Sequence, residues 1–87
     1  MKNELLKLGF KALTGVYYLA EAVEYKIKFP LATVSEIYDV ISIKYKVSFH
    51  CVERCIRHVI QTSKTNYKEM TNKQTITSLA IRLGDFK

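Results

Sequence analysis

The stretch Ser48-Phe49-His50-Cys51-Val52-Glu53-Arg54-Cys55-Ile56-Arg57-His58-Val59-Ile60-Gln61-Thr62 decides how this chain is read. Val52, Cys55, Ile56, Val59 and Ile60 recur at steps of three and four, the period of one helix face and not the alternation of a strand. At about 100° per residue these five gather on one side of the rod, and His50, Glu53, Arg54, Arg57, His58 and Gln61 fall on the other. Ser48 stands where an N-cap belongs, so the pattern predicts a helix from about Phe49 to Thr62.

Upstream, Thr33-Val34-Ser35-Glu36 has the form of a capping box, in which hydroxyl and carboxylate satisfy free amides at a helix start. It opens a predicted helix over about 33–45 with a buried stripe of Val34, Ile37, Tyr38, Ile41 and Tyr45. Only Lys46-Val47-Ser48 separates the two helices. Two narrow-striped helices joined by so short a turn have the layout of a helix-turn-helix unit, where the first supports and the second reads DNA. The turn holds no glycine, so Lys46 or Val47 must make it.

Further outward the period stays helical. A helix over about Asn3–Leu8 ends at Gly9, which suits the left-handed conformation past a helix end. Another, from about Gly15 to Lys28, carries Val16, Leu19, Ala20, Val23 and Ile27 on one face, flanked by Tyr17, Tyr18 and Tyr25, which are expected to help close the core. It stops ahead of Pro30. A polar segment, Thr62 to Asn72, leads to a last helix of about Lys73–Leu83 with Ile76, Leu79, Ala80 and Leu83 in one stripe. The expectation is an all-α fold of about five helices around one core, with residues 1–87 forming a single domain, because a chain of 87 residues can enclose only one.

Bulk composition narrows the function. At 48% hydrophobic and 25% charged the chain resembles an ordinary globule, and no apolar run nears the roughly 18 residues that cross a bilayer. The N-terminal Leu5-Leu6-Lys7-Leu8 is too short and too charged for a signal-peptide core, so a cytoplasmic protein is expected. Cys51 and Cys55, four apart on one predicted helix, are poorly placed for a framework disulfide and read as reduced thiols. The net charge of +6 is lopsided: residues 1–43 hold five lysines and five acids, whereas 44–87 hold nine Lys or Arg against three acids. Concentrated positive charge favours a polyanionic partner through release of its counterions.

The outer face of the Phe49–Thr62 helix suits base edges. Arg can donate twice to guanine, Gln can pair with adenine, Glu can accept from the cytosine amino group, and His can reach base or phosphate. Lys44, Lys46, Lys64 and Lys68 bracket the helix, where they could touch phosphates and fix register. Any solvated helix face also carries charge, and a helical hairpin is a common packing unit, so the layout alone leaves both readings open. Cys51, Cys55 and His58 share one edge of the helix and could offer zinc two thiolates and an imidazole, but the only other Cys or His is His50 on the same helix. No metal or cofactor is therefore expected. An enzyme is not expected either: both histidines lie on one helix, and neither a glycine-rich phosphate loop nor a nucleophilic triad can be argued from spacing. A narrow apolar stripe, with Glu53 on the polar face, argues against a membrane-surface helix.

The string Val52-Glu53-Arg54-Cys55-Ile56-Arg57-His58-Val59-Ile60 resembles the recognition helix of the C-terminal effector-domain family of the sporulation response regulator, stage 0 sporulation protein A. The likeness continues through Leu8-Gly9-Phe10, Gly15, Tyr18-Leu19-Ala20-Glu21-Ala22 and Ile41-Ser42-Ile43-Lys44-Tyr45, and more loosely through Thr71-Asn72 and the last helix. The resemblance implies an all-helical effector domain that binds double-stranded DNA at promoter elements, often as tandem copies, and regulates transcription. It places Glu53, Arg54, Arg57 and His58 at positions used for base and phosphate contacts, whereas Cys51 stands where the family has a basic residue. The resemblance covers the effector portion alone, so control in cis by the family's phosphorylatable receiver domain is not expected, and Gln61 to Asn72 is shorter than the region through which the family meets the RNA polymerase sigma factor. The sigma contact is thus left open.

The combined reading is a sequence-specific duplex binder. Arg54 and Arg57 make the main base-edge contacts, Glu53 and His58 tune the choice, and His50, Gln61, Ser48, Lys46 and Lys64 complete the candidate set. A homodimer or tandem pair is expected, because one such helix reads only a few base pairs. The alternative is a receiver-free interaction module that pairs with or antagonises a homologous regulator without binding DNA effectively.

Overall fold

The computed structural model describes residues 1–84, and these form five α-helices and one 3₁₀ turn with no strand among them. In chain order they are α1 (Lys2–Leu8), α2 (Thr14–Lys28), α3 (Val34–Tyr45), α4 (Phe49–Gln61), the 3₁₀ turn Asn66–Glu69, and α5 (Asn72–Gly84). The all-α expectation therefore holds, with helix bounds within one or two residues of those read from periodicity.

Local chemistry sets the boundaries. Gly9 ends α1 at φ 111°, a conformation that costs a side-chain-bearing residue, and its carbonyl accepts from Lys64 N–H at 3.2 Å, tying α1 to the chain beyond α4. Thr33 Oγ1 accepts from Glu36 N–H at 3.2 Å and Ser48 Oγ from Cys51 N–H at 3.0 Å, so both hydroxyl caps form, whereas the return bond from the Thr33 amide to the Glu36 carboxylate, the other half of the expected capping box, is not made among the described residues. Lys46 makes the α3–α4 turn in the left-handed region at φ 55°, while Val47 N–H returns to the Ser42 carbonyl at 3.0 Å. One cap escapes a reading by apolar period alone. Thr71 N–H donates to Gln74 Oε1 at 3.0 Å and Gln74 N–H to Thr71 Oγ1 at 3.1 Å, a reciprocal box that starts α5 one residue earlier than the apolar pattern suggests.

The helix α2 touches each of the other four and forms the centre of the core. Val16, Leu19 and Val23 of α2 are fully buried, as are Ile37 of α3, Val52, Ile56, Val59 and Ile60 of α4, and Ile76 and Leu79 of α5. Each such side chain contributes about 1.5–3 kcal/mol by leaving water, so the apolar side of α4 alone is enough to hold it against the body. Two tyrosines depart from expectation. Tyr45 is 37% exposed, resting edge-on against Tyr18 at 5.1 Å with its hydroxyl donating to Glu21 Oε1. Tyr17 is 48% exposed beneath the Lys2 ammonium. Their polar tips find partners at the rim, and the core closes without them.

Candidate nucleic-acid interface

Helix α4 is a ridge between two clefts. On one side Gly15, in the first turn of α2, lies so close that a Cβ there would fall inside the Cys55 carbonyl and 3.1 Å from Val59 Cβ. Backbone therefore meets backbone. The cleft above this contact is bounded by Leu13, Thr14, Ser48, His50, Arg54 and His58, with both cysteines on its wall. On the other side α4 faces the start of α5 across a cleft walled by Tyr38, Glu53, Arg54, Arg57, Asn72 and Lys73. Arg54 borders both clefts and so stands at the crest. It is exposed, and no hydrogen-bond or ion-pair partner engages its guanidinium among the described residues.

Arg57, three residues on, is differently placed. Its Nη1 donates to the Met70 carbonyl at 2.7 Å and to Asn72 Oδ1 at 3.4 Å, and its Nη2 donates to the Lys68 carbonyl at 3.3 Å. The guanidinium is half-buried and holds the segment between α4 and α5 against α4, not swung out as the helical wheel predicts. Asn72 completes the clasp, its amide donating to the Glu53 carbonyl at 3.2 Å. Period and composition cannot reveal this contact, because it depends on how residues 62–71 fold back. The one local trace is the Thr71-Asn72-Lys73-Gln74 box, which fixes where α5 begins.

The other candidates sort by exposure. His50, Glu53, His58 and Gln61 project from the outer surface of α4, and His50 Nδ1 lies 4.0 Å from a Glu53 carboxylate oxygen. Lys46, Lys64 and Lys68 are exposed beside the two ends of α4. Lys44 points elsewhere: its ammonium pairs with Glu21 at 2.6 Å, and that carboxylate holds its pKa above the usual 10.5. The Ser48 hydroxyl is committed to its cap, so what it offers at the helix start is position. Burial pushes the Cys55 thiol above its ordinary 9.0, with Cys51 beside it adding to the shift, so it stays protonated and unreactive near neutral pH. Among the described residues no three Cys, His, Asp or Glu side chains converge as a metal site would require, and no helix is long and apolar enough to cross a membrane.

A residue not foreseen at this surface is Tyr38 of α3. Its ring packs edge-on against Phe49 at 5.3 Å and its residue is 2% exposed, yet its hydroxyl, on the wall of the α5-side cleft, has no hydrogen-bond partner. Burial raises its pKa above 10.0, and the Asn72 amide, near Oη but short of hydrogen-bond geometry, works in the opposite direction.

An exposed arginine at the crest of a firmly packed helix, framed by other donors, is an arrangement suited to polyanion recognition. Comparison with known proteins adds one finding: residues 1–83 match the family described as Sporulation initiation factor Spo0A C terminal. No curated protein and no solved structure matches the chain. A match over nearly the whole length shows the family, and the chain accordingly belongs to the Spo0A C-terminal family of DNA-binding effector domains of sporulation control, which is not a family of enzymes.

Proposed function

We propose that the chain, acting as one effector domain, binds double-stranded DNA sequence-specifically by laying α4 in the major groove as the second helix of a helix-turn-helix unit, and so regulates transcription. The supporting observation is the isolation of Arg54 at the ridge crest, where its two-pronged donor is free for a guanine edge. With 13 residues α4 is about 20 Å long, enough to follow a groove about 12 Å wide. Glu53, His58 and Gln61 flank Arg54 and tune the choice of base, while His50, Lys46 and Lys64 meet phosphates at the margins. Arg57 acts in this reading chiefly as a positioning residue, since three of its hydrogen bonds are already made within the domain. Two copies, paired or in tandem, read a full site, because one α4 covers only a few base pairs. Such a reader works in the cytoplasm, where the bacterial chromosome lies.

Selection of bound duplexes from a random pool, followed by fluorescence anisotropy across a salt series, tests this reading. A defined half-site and a steep fall of affinity with salt are expected. Binding that selects no sequence would contradict it.

A second reading draws on a separate observation: Leu31 is 96% and Ile81 64% exposed, and neither borders the α4 clefts. Exposed apolar side chains favour a protein partner, such as a homologous regulator that this chain would antagonise. Pairing that persists at high salt, in a chain that binds no duplex, would select that reading.

A further inference from the structure

The cleft between α4 and the start of α5 has a largely apolar floor that includes Val34, and Tyr38, Arg54, Asn72 and Lys73 bring hydrogen-bond donors to its edges. The capping box satisfies the N–H groups of Thr71 and Gln74, which leaves those of Asn72 and Lys73, the first two of a helix of 13 residues, without acceptors among the described residues. The ammonium of Lys73 is exposed beside them and unpaired among the described residues, and Arg54 stands on the opposite wall. A helix start with two open amides already favours negative charge. The second observation is independent of that helix: the Tyr38 hydroxyl, from α3, is buried on the same wall with no acceptor for its proton. Leaving a buried hydroxyl unsatisfied is costly, and an anionic oxygen entering the cleft would remove that cost. One carboxylate, Glu53, also borders the cleft; it is outnumbered by Arg54, Arg57 and Lys73.

We propose that this cleft is a phosphate site, in which Lys73, the open amides at the start of α5 and the Tyr38 hydroxyl receive one backbone phosphate of the duplex whose groove α4 occupies. The inference rests on the DNA-reading function proposed above and adds to it. Arg54 borders the cleft and also crests the ridge, so a base edge and the neighbouring phosphate are reached from one helix. A phosphate held here fixes the depth and register of α4 without reading sequence. Nothing in the apolar periodicity of α5 points to this, since Lys73 sits on its polar face as a solvated lysine would.

The test uses the full chain and the duplex selected from the random pool. Lys73→Gln is expected to lower affinity roughly 3–10-fold at moderate salt, to reduce the slope of log K against log salt by about 0.9, and to leave base preference unchanged. Tyr38→Phe is expected to act in opposite directions on two readouts, raising the thermal midpoint because an orphaned hydroxyl is gone while weakening duplex binding. Replacing phosphates one at a time by neutral methylphosphonates should identify a single position whose replacement weakens the parent chain and has little further effect on Lys73→Gln. An unchanged salt slope in Lys73→Gln, or unchanged affinity in Tyr38→Phe, would overturn the proposal. If Arg54→Ala still removes discrimination at one base pair in that case, the DNA-reading function stands and only the phosphate site falls; a parent chain that binds no duplex removes both. Inorganic phosphate alone separates the two sources of the ligand: saturable amide shifts at Lys73 in the low millimolar range would make this a free-anion site and overturn its assignment to the duplex.

Discussion

The two flanks of α4 are held by opposite means. Toward α2 the contact is steric, with the backbone of Gly15 against the Cys55 carbonyl and no hydrogen bond across it among the described residues. Toward α5 it is polar, built from the Arg57 fork and the Asn72 amide reaching main-chain carbonyls. A close backbone approach tolerates no added atom, whereas a side-chain clasp can loosen in parts. The difference implies that damage to the α2 flank displaces the whole helix, and damage to the α5 flank first frees the connecting segment.

Gly15→Ala should give the largest effect. Its methyl group has nowhere to go, and the clash outweighs the helical preference of alanine, so a net loss of about 2–3 kcal/mol is expected. At this chain length that is a fall on the order of 10–20 °C in the thermal midpoint followed by circular dichroism. A midpoint within a few degrees of the parent would show that α4 can slide away from α2 and would erase the contrast.

Arg57→Ala should cost about 2 kcal/mol, discounted from its three charge-assisted bonds because the site is half-open to water. Hydrogen exchange should quicken in residues 62–71 before it does in α4 itself. Arg57→Lys should not restore the parent rates, since a single ammonium cannot span the Lys68 and Met70 carbonyls as a planar fork does.

Removing one cap from each neighbourhood sharpens the comparison at smaller cost. Thr71→Ala and Ser48→Ala should each lose about 1 kcal/mol, the first with faster exchange at the start of α5 and the second at the start of α4. The smallest change expected is a gain: Lys46→Gly relieves a left-handed backbone and should add about 0.5 kcal/mol to unfolding in urea. A loss there would mean that the lysine side chain is needed in the α3–α4 turn.

The fold was legible because its signals are local. The stripes of α2, α4 and α5 and the caps at Thr33 and Ser48 lie within a few residues of what they determine. The glycine-free turn is narrowed by sequence only to Lys46 or Val47, and it is Lys46 that adopts the left-handed conformation. Gly15 could be read as a helix start but not as a contact, because its significance lies in an atom it lacks and in Cys55 forty positions away. The angle of Arg57 on the helix predicts the outer face, which fits its Cα but not the end of a long side chain that the chain around Met70 folds back to meet. The apolar period predicts Tyr38 in the core, where its ring is; that its hydroxyl ends against the α5 cleft depends on tertiary packing and leaves no trace in the spacing.

Whether α4 enters the groove with Arg54 foremost is read from the affinity of Arg54→Ala for the selected duplex and for the same duplex changed at one base pair at a time. A loss of about 1–3 kcal/mol is expected on the selected duplex, with discrimination removed at a single base pair and kept at the others. Unaltered affinity together with unaltered discrimination at every position would contradict it.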